Sequence, residues 1–229
     1  MRHAVAVGIG TSAWIDPGVV AGFAGASPNL ALIDYANRRA RTSRSLRVLD
    51  IGCGAGRNAV PLALSGAHVL GTDLSMPMLR AAQTRSAAGR LHLAVAQMDA
   101  LPVSDHSFNF IVAHGIWNLA RSGAEFRRAV SEAARAASPG AALFVFTFSR
   151  HTIPADAQPL DGETFVFTQF SGAPQVFLTR DQLLEEMREA GFAPDPSLPI
   201  RELNLPPPGQ VRVGGAPVIY QAAFRKTGA

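Results

Sequence analysis

Three closely spaced glycines that follow an apolar segment are the first sign of chemistry in this sequence. Gly52, Gly54 and Gly56 come after the apolar run 46–51, and residues 58–65 have the pattern of a helix. Glycines in such a loop let a ligand approach the backbone without meeting a Cβ, and the first N–H groups of the helix are free to bind it. The segment therefore predicts a ligand-binding loop between a strand and a helix.

Two aspartates lie beside this loop in the sequence. Asp50 precedes Gly52 by two residues, and Asp73 lies seventeen residues after Gly56, in the second predicted strand. In nucleotide-binding parallel sheets, an acid at the tip of the second strand accepts hydrogen bonds from the hydroxyls of an adenosine ribose. The pair therefore indicates a ligand that contains adenosine.

The charges around the loop distinguish between adenosine ligands. A pyrophosphate-binding loop has the pattern G-x-G-x-x-G, but Arg57 stands at the position of its last glycine. The carboxylate of Asp50 would repel a pyrophosphate, whereas it suits a ligand that carries an ammonium group. S-adenosylmethionine has an ammonium group, a sulfonium group and a ribose diol but no phosphate, so we favour it over a dinucleotide.

Short apolar runs alternate with helical patterns from residue 46 to about residue 150, which predicts an α/β fold with a parallel sheet covered on both faces. The predicted strands cover residues 46–51, 68–74, 91–97, 108–113 and 141–148, and the helices between them cover residues 58–65, 76–88 and 125–137. A helix is expected over 28–44, with Ser27 as its N-cap. Beyond residue 150 the patterns predict a β-like stretch over 164–170, a helix over 180–190 and strands over 198–205 and 217–225.

Four motifs in this order resemble the class I S-adenosylmethionine-dependent methyltransferases. They are VLDIGCGAG at 48–56, GTDLS at 71–75, MDALP at 98–102 and the Ser-Pro-Gly turn at 138–140. The resemblance implies a Rossmann-like, seven-stranded, mostly parallel sheet with an N-terminal helical lid and an insertion after strand five. It also implies one domain over 1–229, with the lid region in 1–45, the cofactor-binding core in 46–148 and the insertion and last strands in 149–229.

The resemblance also implies roles for individual residues. Asp50 would orient the methionyl amine, Asp73 would hold the ribose hydroxyls, and Asp99 would accept from the adenine amino group. His114, just past the fourth strand, would lie nearest the transferred methyl group. The remaining cofactor contacts are expected from Gly52, Cys53, Gly54, Gly56, Asn58, Leu74, Met78 and Ala100, and no metal is expected. The product would be S-adenosylhomocysteine, and Cys53 is interpreted as a small buried residue.

The segment after the fourth strand bears on the acceptor of the methyl group. It lacks the two prolines of amine methylases that act on nucleic acids, and no acid lies between Asp105 and Glu125, unlike in protein arginine methyltransferases. We therefore expect a small-molecule acceptor. His114 is either a general base or a residue that shapes the pocket. Trp117 is either a wall of the acceptor pocket or a packing residue.

The regions on both sides of the core are expected to form a lid over the site. The segments expected in this lid are 14–16, 27–29, 150–152, 165–170 and 175–177.

Within the family, Gly56-Arg57-Asn58 and the sequence 65–69 are similar to the tellurite-resistance and thiopurine-type branch, which methylates soft acceptors. Asn109 departs from the Phe-Asp pair of many members, but an amide can still form hydrogen bonds there.

Composition narrows the alternatives. Hydrophobic residues make up 48% of the chain and charged residues 17%, so most of it is expected to fold, and one cysteine excludes an internal disulfide. No apolar run approaches the roughly 18 residues of a membrane span. A faint likeness of residues 1–15 to a secretion signal is interrupted by Asp16-Pro17, so a cytoplasmic protein is expected.

Two other functions stay open from the sequence. The net charge is +4, and its main cluster is a set of five arginines: Arg38, Arg39, Arg41, Arg44 and Arg47. The cluster is either a solvated helix end or a phosphate-binding patch, which would suit an rRNA or tRNA methyltransferase. The last alternative is a protein that binds S-adenosylmethionine as a regulator without turnover.

Overall fold

Strands and helices alternate through the centre of the chain, as the sequence predicts. The computed structural model describes residues 13–43, 45–86, 89–207 and 216–228. The strands are β1 (Arg47–Ile51), β2 (His68–Asp73), β3 (Leu91–Val95), β4 (Phe108–His114), β5 (Ala137–Phe148), β6 (Val166–Phe167), β7 (Gln175–Val176), β8 (Phe192–Pro194), β9 (Arg201–Leu203) and β10 (Ile219–Lys226). The α-helices are α1 (Pro17–Gly25), α2 (Leu30–Ala40), α3 (Ala59–Leu64), α4 (Met76–Arg85), α5 (Gly123–Ala136) and α6 (Arg180–Glu189).

The central sheet has the order β3-β2-β1-β4-β5-β10-β8. The first five strands of this order are parallel, and β10 runs antiparallel to β5 and β8. This is the predicted Rossmann-like, mostly parallel sheet, with the short strand β9 added as an eighth strand on β10. Because β1 lies between β2 and β4, the carboxyl ends of these three strands meet at one edge of the sheet.

Helices cover both faces of the sheet, as expected. Val48 packs in one cluster of buried side chains with Leu32 of α2, and Leu49 packs in the other with Phe126 of α5. Neighbouring residues of β1 therefore both face apolar cores, which explains why the strand is a nearly continuous apolar run. The central position of β1 follows from this burial on both sides.

The N-terminal region differs from the prediction in two ways. An unpredicted helix, α1, begins after Asp16, whose carboxylate accepts hydrogen bonds from the N–H groups of Gly18 and Val19. The N-cap of α2 is Asn29 rather than Ser27, because the Asn29 side chain accepts from the N–H of Leu32, 3.2 Å away. The faint secretion-signal pattern falls mostly in 1–12, outside the described residues.

The other element boundaries shift for local reasons. The predicted strand 198–205 contracts to β9, and β8 was not predicted because three residues carry too little periodicity. Helix α4 ends at Arg85, and residues 87–88 of the predicted helix lie outside the described residues. The β-like stretch 164–170 yields only β6, which pairs with β7 in a separate two-stranded sheet.

The Ser-Pro-Gly segment lies within β5 rather than before it. Phe108 of β4 pairs with Ala137, and Phe110 pairs with Ala142, so the residues between Ala137 and Ala142 bulge out of the ladder. Gly140 has a φ of 72°, which favours glycine at this bulge. The motif therefore turns the chain inside a strand that starts directly after α5.

Asn109 connects the starts of β1 and β4. Its Oδ1 accepts from the N–H of Arg47 and its Nδ2 donates to the carbonyl of Ser45, both at 2.8 Å. Only an amide can donate and accept in this way, because an ionised aspartate has no donor. The departure from Phe-Asp therefore keeps a hydrogen-bonded link at this position.

Gly56 gives a test of the packing below the glycine loop. A Cβ at Gly56 would lie 2.9 Å from both the Ala82 Cβ and the Val60 Cγ2, whereas a Cβ at Gly162 would meet nothing within 4 Å. The φ angles of Gly56 and Gly162 are 76° and 75°, so Gly162→Ala controls for backbone strain. We expect Gly56→Ala to lower the free energy of unfolding by about 1–3 kcal/mol more than Gly162→Ala, as measured by urea denaturation. Equal losses would mean that Gly56 is not in close contact with Val60 of α3 and Ala82 of α4.

Candidate active site

A cavity of about 540 Å³ opens at the carboxyl edge of the sheet. Ten of the predicted site residues line it: Asp50, Gly52, Cys53, Gly54, Asn58, Asp73, Leu74, Met78, Asp99 and His114. Three others, Gly56, Ala100 and Trp117, are not among its lining residues. Most of the residues that the sequence assigns to one site therefore do lie around one cavity.

Asp73 is held at the tip of β2 by the backbone. Its Oδ2 accepts from the N–H of Gly54, 2.9 Å away, and its Oδ1 accepts from the N–H of Ser75, 2.8 Å away. Burial raises the pKa of Asp73, and these backbone N–H groups act against that rise because they stabilise the charged form. Each oxygen keeps a further lone pair with which it can accept from a ligand.

Asp50 is a buried carboxylate with an unsatisfied oxygen. It is 1% exposed, and its Oδ2 has no hydrogen-bond partner in the described part of the protein. Burial and then the negative charge of Asp73 raise the pKa of Asp50 to about 7, while Arg57 acts in the opposite direction. A buried carboxylate of this kind is costly unless a cationic donor reaches it, so Asp50 fits an ammonium group.

Arg57 also lines the cavity, a position that the sequence did not assign to it. Its Nη2 lies 3.0 Å from the Nδ1 of His114, and among the described residues it forms no ion pair with a carboxylate. Burial lowers the pKa of Arg57, while the charge of Asp50 opposes this effect. Two opposite charges thus line one cavity without pairing, an arrangement that complements a ligand with both an ammonium and a carboxylate group.

His114 is held between aromatic rings and hydrogen-bond donors. Its ring stacks on Phe146 with 4.1 Å between centroids, and its Nε2 lies 3.2 Å from the Nδ2 of Asn29. Burial, followed by the charge of Arg57, lowers the pKa of His114 to about 3. Both ring nitrogens face donors, and a neutral imidazole can accept at only one of them, so His114 has no free acceptor nitrogen for a proton of the methyl acceptor. The geometry therefore favours a histidine that shapes the cavity over a general base.

The predicted adenine contacts are already engaged in part. Asp99 forms an ion pair with Arg128, with 3.1 Å between its Oδ2 and the guanidinium group. The N–H of Ala100 donates to the carbonyl of Gln97, 3.3 Å away. Leu74 is 64% exposed and offers an apolar surface at the mouth of the cavity. Asp99 thus keeps one carboxylate oxygen for a ligand, whereas the Ala100 donor has an internal partner.

Two of the expected lid regions reach the cavity. Trp14, Ile15 and Phe23 line it from the N-terminal side, and the carbonyl of Trp14 accepts from the Ser75 hydroxyl, 2.6 Å away. The insertion after β5 contributes Ala173, Pro174 and Gln175. The expected segments 27–29, 150–152 and 165–170 are absent from the lining. In the last of these, Phe165 and Phe167 pack in apolar clusters instead.

Trp117 and Cys53 are both buried against packed side chains or backbone. Trp117 is 1% exposed and packs edge-on against Phe126, 6.2 Å away between centroids, beneath the cavity wall. Burial raises the pKa of the Cys53 thiol well above its usual range, so it stays protonated. Its sulfur lies where a Cβ on Gly71 would come within 2.7 Å, which explains the glycine in β2. Neither residue has the surroundings of a reactive group.

The arginine cluster lies at the other edge of the sheet. Arg38 and Arg39 are in the last turn of α2, and Arg47 begins β1, so they are at the amino end of the strand whose carboxyl end meets the cavity. Arg44 lies outside the described residues. Arg38 stacks over the Tyr35 ring, 5.8 Å away, and Arg47 donates to the carbonyl of Ser107. This placement separates the cluster from the cavity.

The described residues contain no group of three side chains suited to hold a metal ion. Within the same residues, no helix combines the length and apolar character needed to cross a membrane.

The chain is similar to known methyltransferases. Residues 48–140 match a family model described as a methyltransferase domain. The demethylmenaquinone methyltransferase of Roseiflexus castenholzii is 29% identical over 163 residues, which cover 64% of this chain and 68% of that protein. Other curated relatives named as methyltransferases are matched over roughly half of their length, such as the 51% covered in the enzyme from Corynebacterium urealyticum.

Solved structures show the same fold. An S-adenosylmethionine-dependent methyltransferase from Methanosarcina mazei has a TM-score of 0.61 and 22% identity, over 81% of this chain and 94% of that one. The 1,6-didemethyltoxoflavin-N1-methyltransferase of Burkholderia thailandensis, solved with bound 1,6-didemethyltoxoflavin and S-adenosylhomocysteine, has a TM-score of 0.62 and 17% identity. That match covers 82% of this chain and 74% of that one.

The buried charge of Asp50, which has an oxygen without a partner, is expected to lower the free energy of unfolding of the ligand-free protein. The pKa of Asp50 is raised from 3.8 to about 7 in the folded state, so the folded protein loses stability as pH rises from about 4 to about 7 and keeps the full loss above pH 7. We expect Asp50→Asn to raise the free energy of unfolding at pH 8 by up to about 4 kcal/mol, and the gain to shrink toward pH 5.

Thermal and urea unfolding at both pH values measure this effect. Asp161→Asn is the control, because Asp161 is an exposed carboxylate. A less stable Asp50→Asn protein at pH 8 would contradict the interpretation, since it would mean that the carboxylate has stabilising partners.

Proposed function

We propose that this chain, which belongs to the class I S-adenosylmethionine-dependent methyltransferases, methylates a small organic molecule at the cavity beside its glycine loop. The observation that carries the proposal is the set of charges around that loop. Asp50 and Arg57 line the cavity unpaired, and Asp73 lies at the next strand tip. An adenosyl amino acid has a complementary group for each of them.

The adenosyl half of the cofactor suits the β2 end of the cavity. The free lone pairs of Asp73 would accept from both ribose hydroxyls, and Gly54 leaves room for the ribose because a Cβ there would meet nothing within 4 Å. Leu74 and Met98 would lie against the adenine ring, and the free oxygen of Asp99 would accept from its amino group.

The methionyl half suits the β1 and β4 ends. The Asp50 carboxylate would accept from the ammonium group, and the Arg57 guanidinium would donate to the carboxylate group. Both interactions would form in a largely buried place, where charge-assisted hydrogen bonds are stronger than in water. His114, fixed against Phe146, would hold Arg57 in place by accepting from it.

Catalysis by these residues would be mainly a matter of position. When bound, S-adenosylmethionine supplies an activated methyl group on its sulfonium sulfur. The chain would hold that group in line with the acceptor and keep water away from it, which is a large source of rate in such reactions. The N-terminal residues Trp14 and Phe23, whose rings are 5.4 Å apart, would close the cavity on one side as a lid.

A small acceptor is supported by the size of the cavity and by the named relatives. About 540 Å³ lies in the usual range of small-molecule sites. The relatives include an enzyme named for demethylmenaquinone and one solved with 1,6-didemethyltoxoflavin. An RNA acceptor is less well supported, because the arginine cluster lies at the edge of the sheet away from the cavity.

The cofactor site is tested by calorimetric titration with S-adenosylmethionine and S-adenosylhomocysteine. We expect micromolar binding that weakens at least tenfold, about 1.4 kcal/mol, in Asp73→Asn, because an amide offers fewer acceptor sites to the ribose and the loop. Asp161→Asn, which changes an exposed carboxylate, should bind like the wild type. Absence of binding by well-folded wild-type protein would overturn the proposal.

The role of Arg57 is tested with a cofactor analogue that lacks the carboxylate group to which Arg57 would donate. Arg57→Met is expected to weaken the binding of S-adenosylmethionine at least tenfold and to leave decarboxylated S-adenosylmethionine nearly unchanged, since that analogue has no carboxylate. Equal losses for both compounds would show that Arg57 supports the fold of the site rather than the carboxylate.

Turnover separates an enzyme from a silent cofactor-binding protein. Purified protein is incubated with S-adenosylmethionine and separate panels of phenols, amines, thiols, selenite and tellurite, and products are detected by mass spectrometry. A product that gains one methyl group, together with S-adenosylhomocysteine, supports the enzyme. Binding without any product would favour the regulatory role, and tellurite, selenite or thiol products would favour the soft-acceptor branch.

A further inference from the structure

The part of the cavity that faces the insertion after β5 has a wall of a different kind from the cofactor end. This wall, which we call the acceptor wall, consists of Ile116, Leu119, Ala173, Pro174 and Gln175. Four of the five side chains are apolar. Gln175 is the exception, and it comes from β7 of the small sheet that covers this end of the cavity.

The side-chain amide of Gln175 has a hydrogen-bond partner for its oxygen but none for its nitrogen among the described residues. Gln175 is 1% exposed, and its Oε1 accepts from the Ser171 hydroxyl, 2.8 Å away. The Ser171 oxygen itself accepts from the N–H of Ala173, 3.4 Å away, which helps to hold this side chain beside Gln175. The Nε2 of Gln175 has no partner among the described residues. A buried donor without an acceptor at a cavity wall points to a ligand oxygen.

Among the described residues that line the cavity, none is a well-placed base for a proton on the acceptor. His114 faces two donors, Arg57 and Asn29. Glu125 accepts from the N–H of Arg121 and pairs with its guanidinium group, and Asp99 pairs with Arg128, so both carboxylates already have partners. Asp50 and Asp73 are the carboxylates of the cofactor end. The acceptor therefore has to be nucleophilic before it meets the methyl group.

We propose that the acceptor is a largely apolar phenol or enol that reacts as its oxyanion, with the charged oxygen accepting a hydrogen bond from the Nε2 of Gln175. The inference rests on the proposed function. An N–H donor stabilises an anionic oxygen more than a neutral one, so Gln175 favours the ionised acceptor. The apolar wall would hold the hydrocarbon part.

The reaction balances without another reactant. The acceptor loses its hydroxyl proton to water before transfer. An electron pair of the anion, on oxygen or on a conjugated carbon, then forms the bond to the methyl carbon while the carbon–sulfur bond breaks. The sulfur keeps that pair and becomes the neutral thioether of S-adenosylhomocysteine. Methylation on carbon is followed by loss of the proton from that carbon to water.

The test uses 1-naphthol as a probe, because naphthol and naphtholate differ in fluorescence. Protein saturated with S-adenosylhomocysteine is titrated with 1-naphthol, 1-naphthylamine and 1-methylnaphthalene. We expect wild-type protein to bind 1-naphthol at least tenfold more tightly than the other two and to lower the apparent pKa of the bound hydroxyl. Gln175→Met should weaken naphthol at least fivefold, leave methylnaphthalene unchanged and return the apparent pKa toward that in water.

Two further variants control the test. Gln175→Glu replaces the donor with a like charge and should weaken naphthol more than Gln175→Met does. Gln169→Met changes an exposed glutamine of the same insertion and should leave every affinity unchanged. Circular dichroism and the affinity for S-adenosylhomocysteine verify that each variant keeps its fold and cofactor site.

The outcomes separate this inference from the proposed function. If the wild-type protein did not bind S-adenosylhomocysteine, the proposed cofactor site itself would be overturned. Cofactor binding with naphthol affinity that is absent, matched by methylnaphthalene or naphthylamine, or insensitive to Gln175→Met would overturn the acceptor class alone.

Discussion

The hydrogen bond from the N–H of Gly54 to the carboxylate of Asp73 holds the two halves of the site together. It ties the loop after β1 to the tip of β2, so the two carboxylates that end these strands lie close enough to influence each other. Asp73 is stabilised by backbone donors, but Asp50 keeps an oxygen without a partner. The remaining negative potential therefore faces the cavity, where a cationic ligand group can relieve it.

This part of the site was predictable from the sequence because its determinants are local. The apolar run of β1, the glycines after it and the distance to Asp73 are all readable along the chain, and parallel strands bring their carboxyl ends to the same edge. Short elements escaped prediction for the opposite reason. Strand β8 has three residues and exists because β10 offers it a free edge, and α1 depends on the cap from Asp16.

Residues whose roles depend on distant parts of the chain were harder to predict. In the sequence, Arg57 was noted only because it replaces the last glycine of the pyrophosphate-binding pattern. Its place in the cavity follows from contacts with His114, more than fifty residues away. Gln175 was expected in a lid, but its unpaired donor depends on Ser171 and on the pairing of β6 with β7. The sequence allowed a general base at His114, but Arg57 and Asn29 occupy its two ring nitrogens, which favours a residue that shapes the cavity.

The separation of Asp50 from Arg57 explains why these groups fit a ligand better than they fit each other. A direct ion pair would satisfy both charges and close the cavity, and the fold would gain stability at the expense of binding. Arg57 instead rests against a neutral histidine that can only accept from it, so its charge stays available. The charges are thus kept apart by the packing of His114 on β5, and the binding of an amino-acid group would supply the partner that each one lacks in the ligand-free fold.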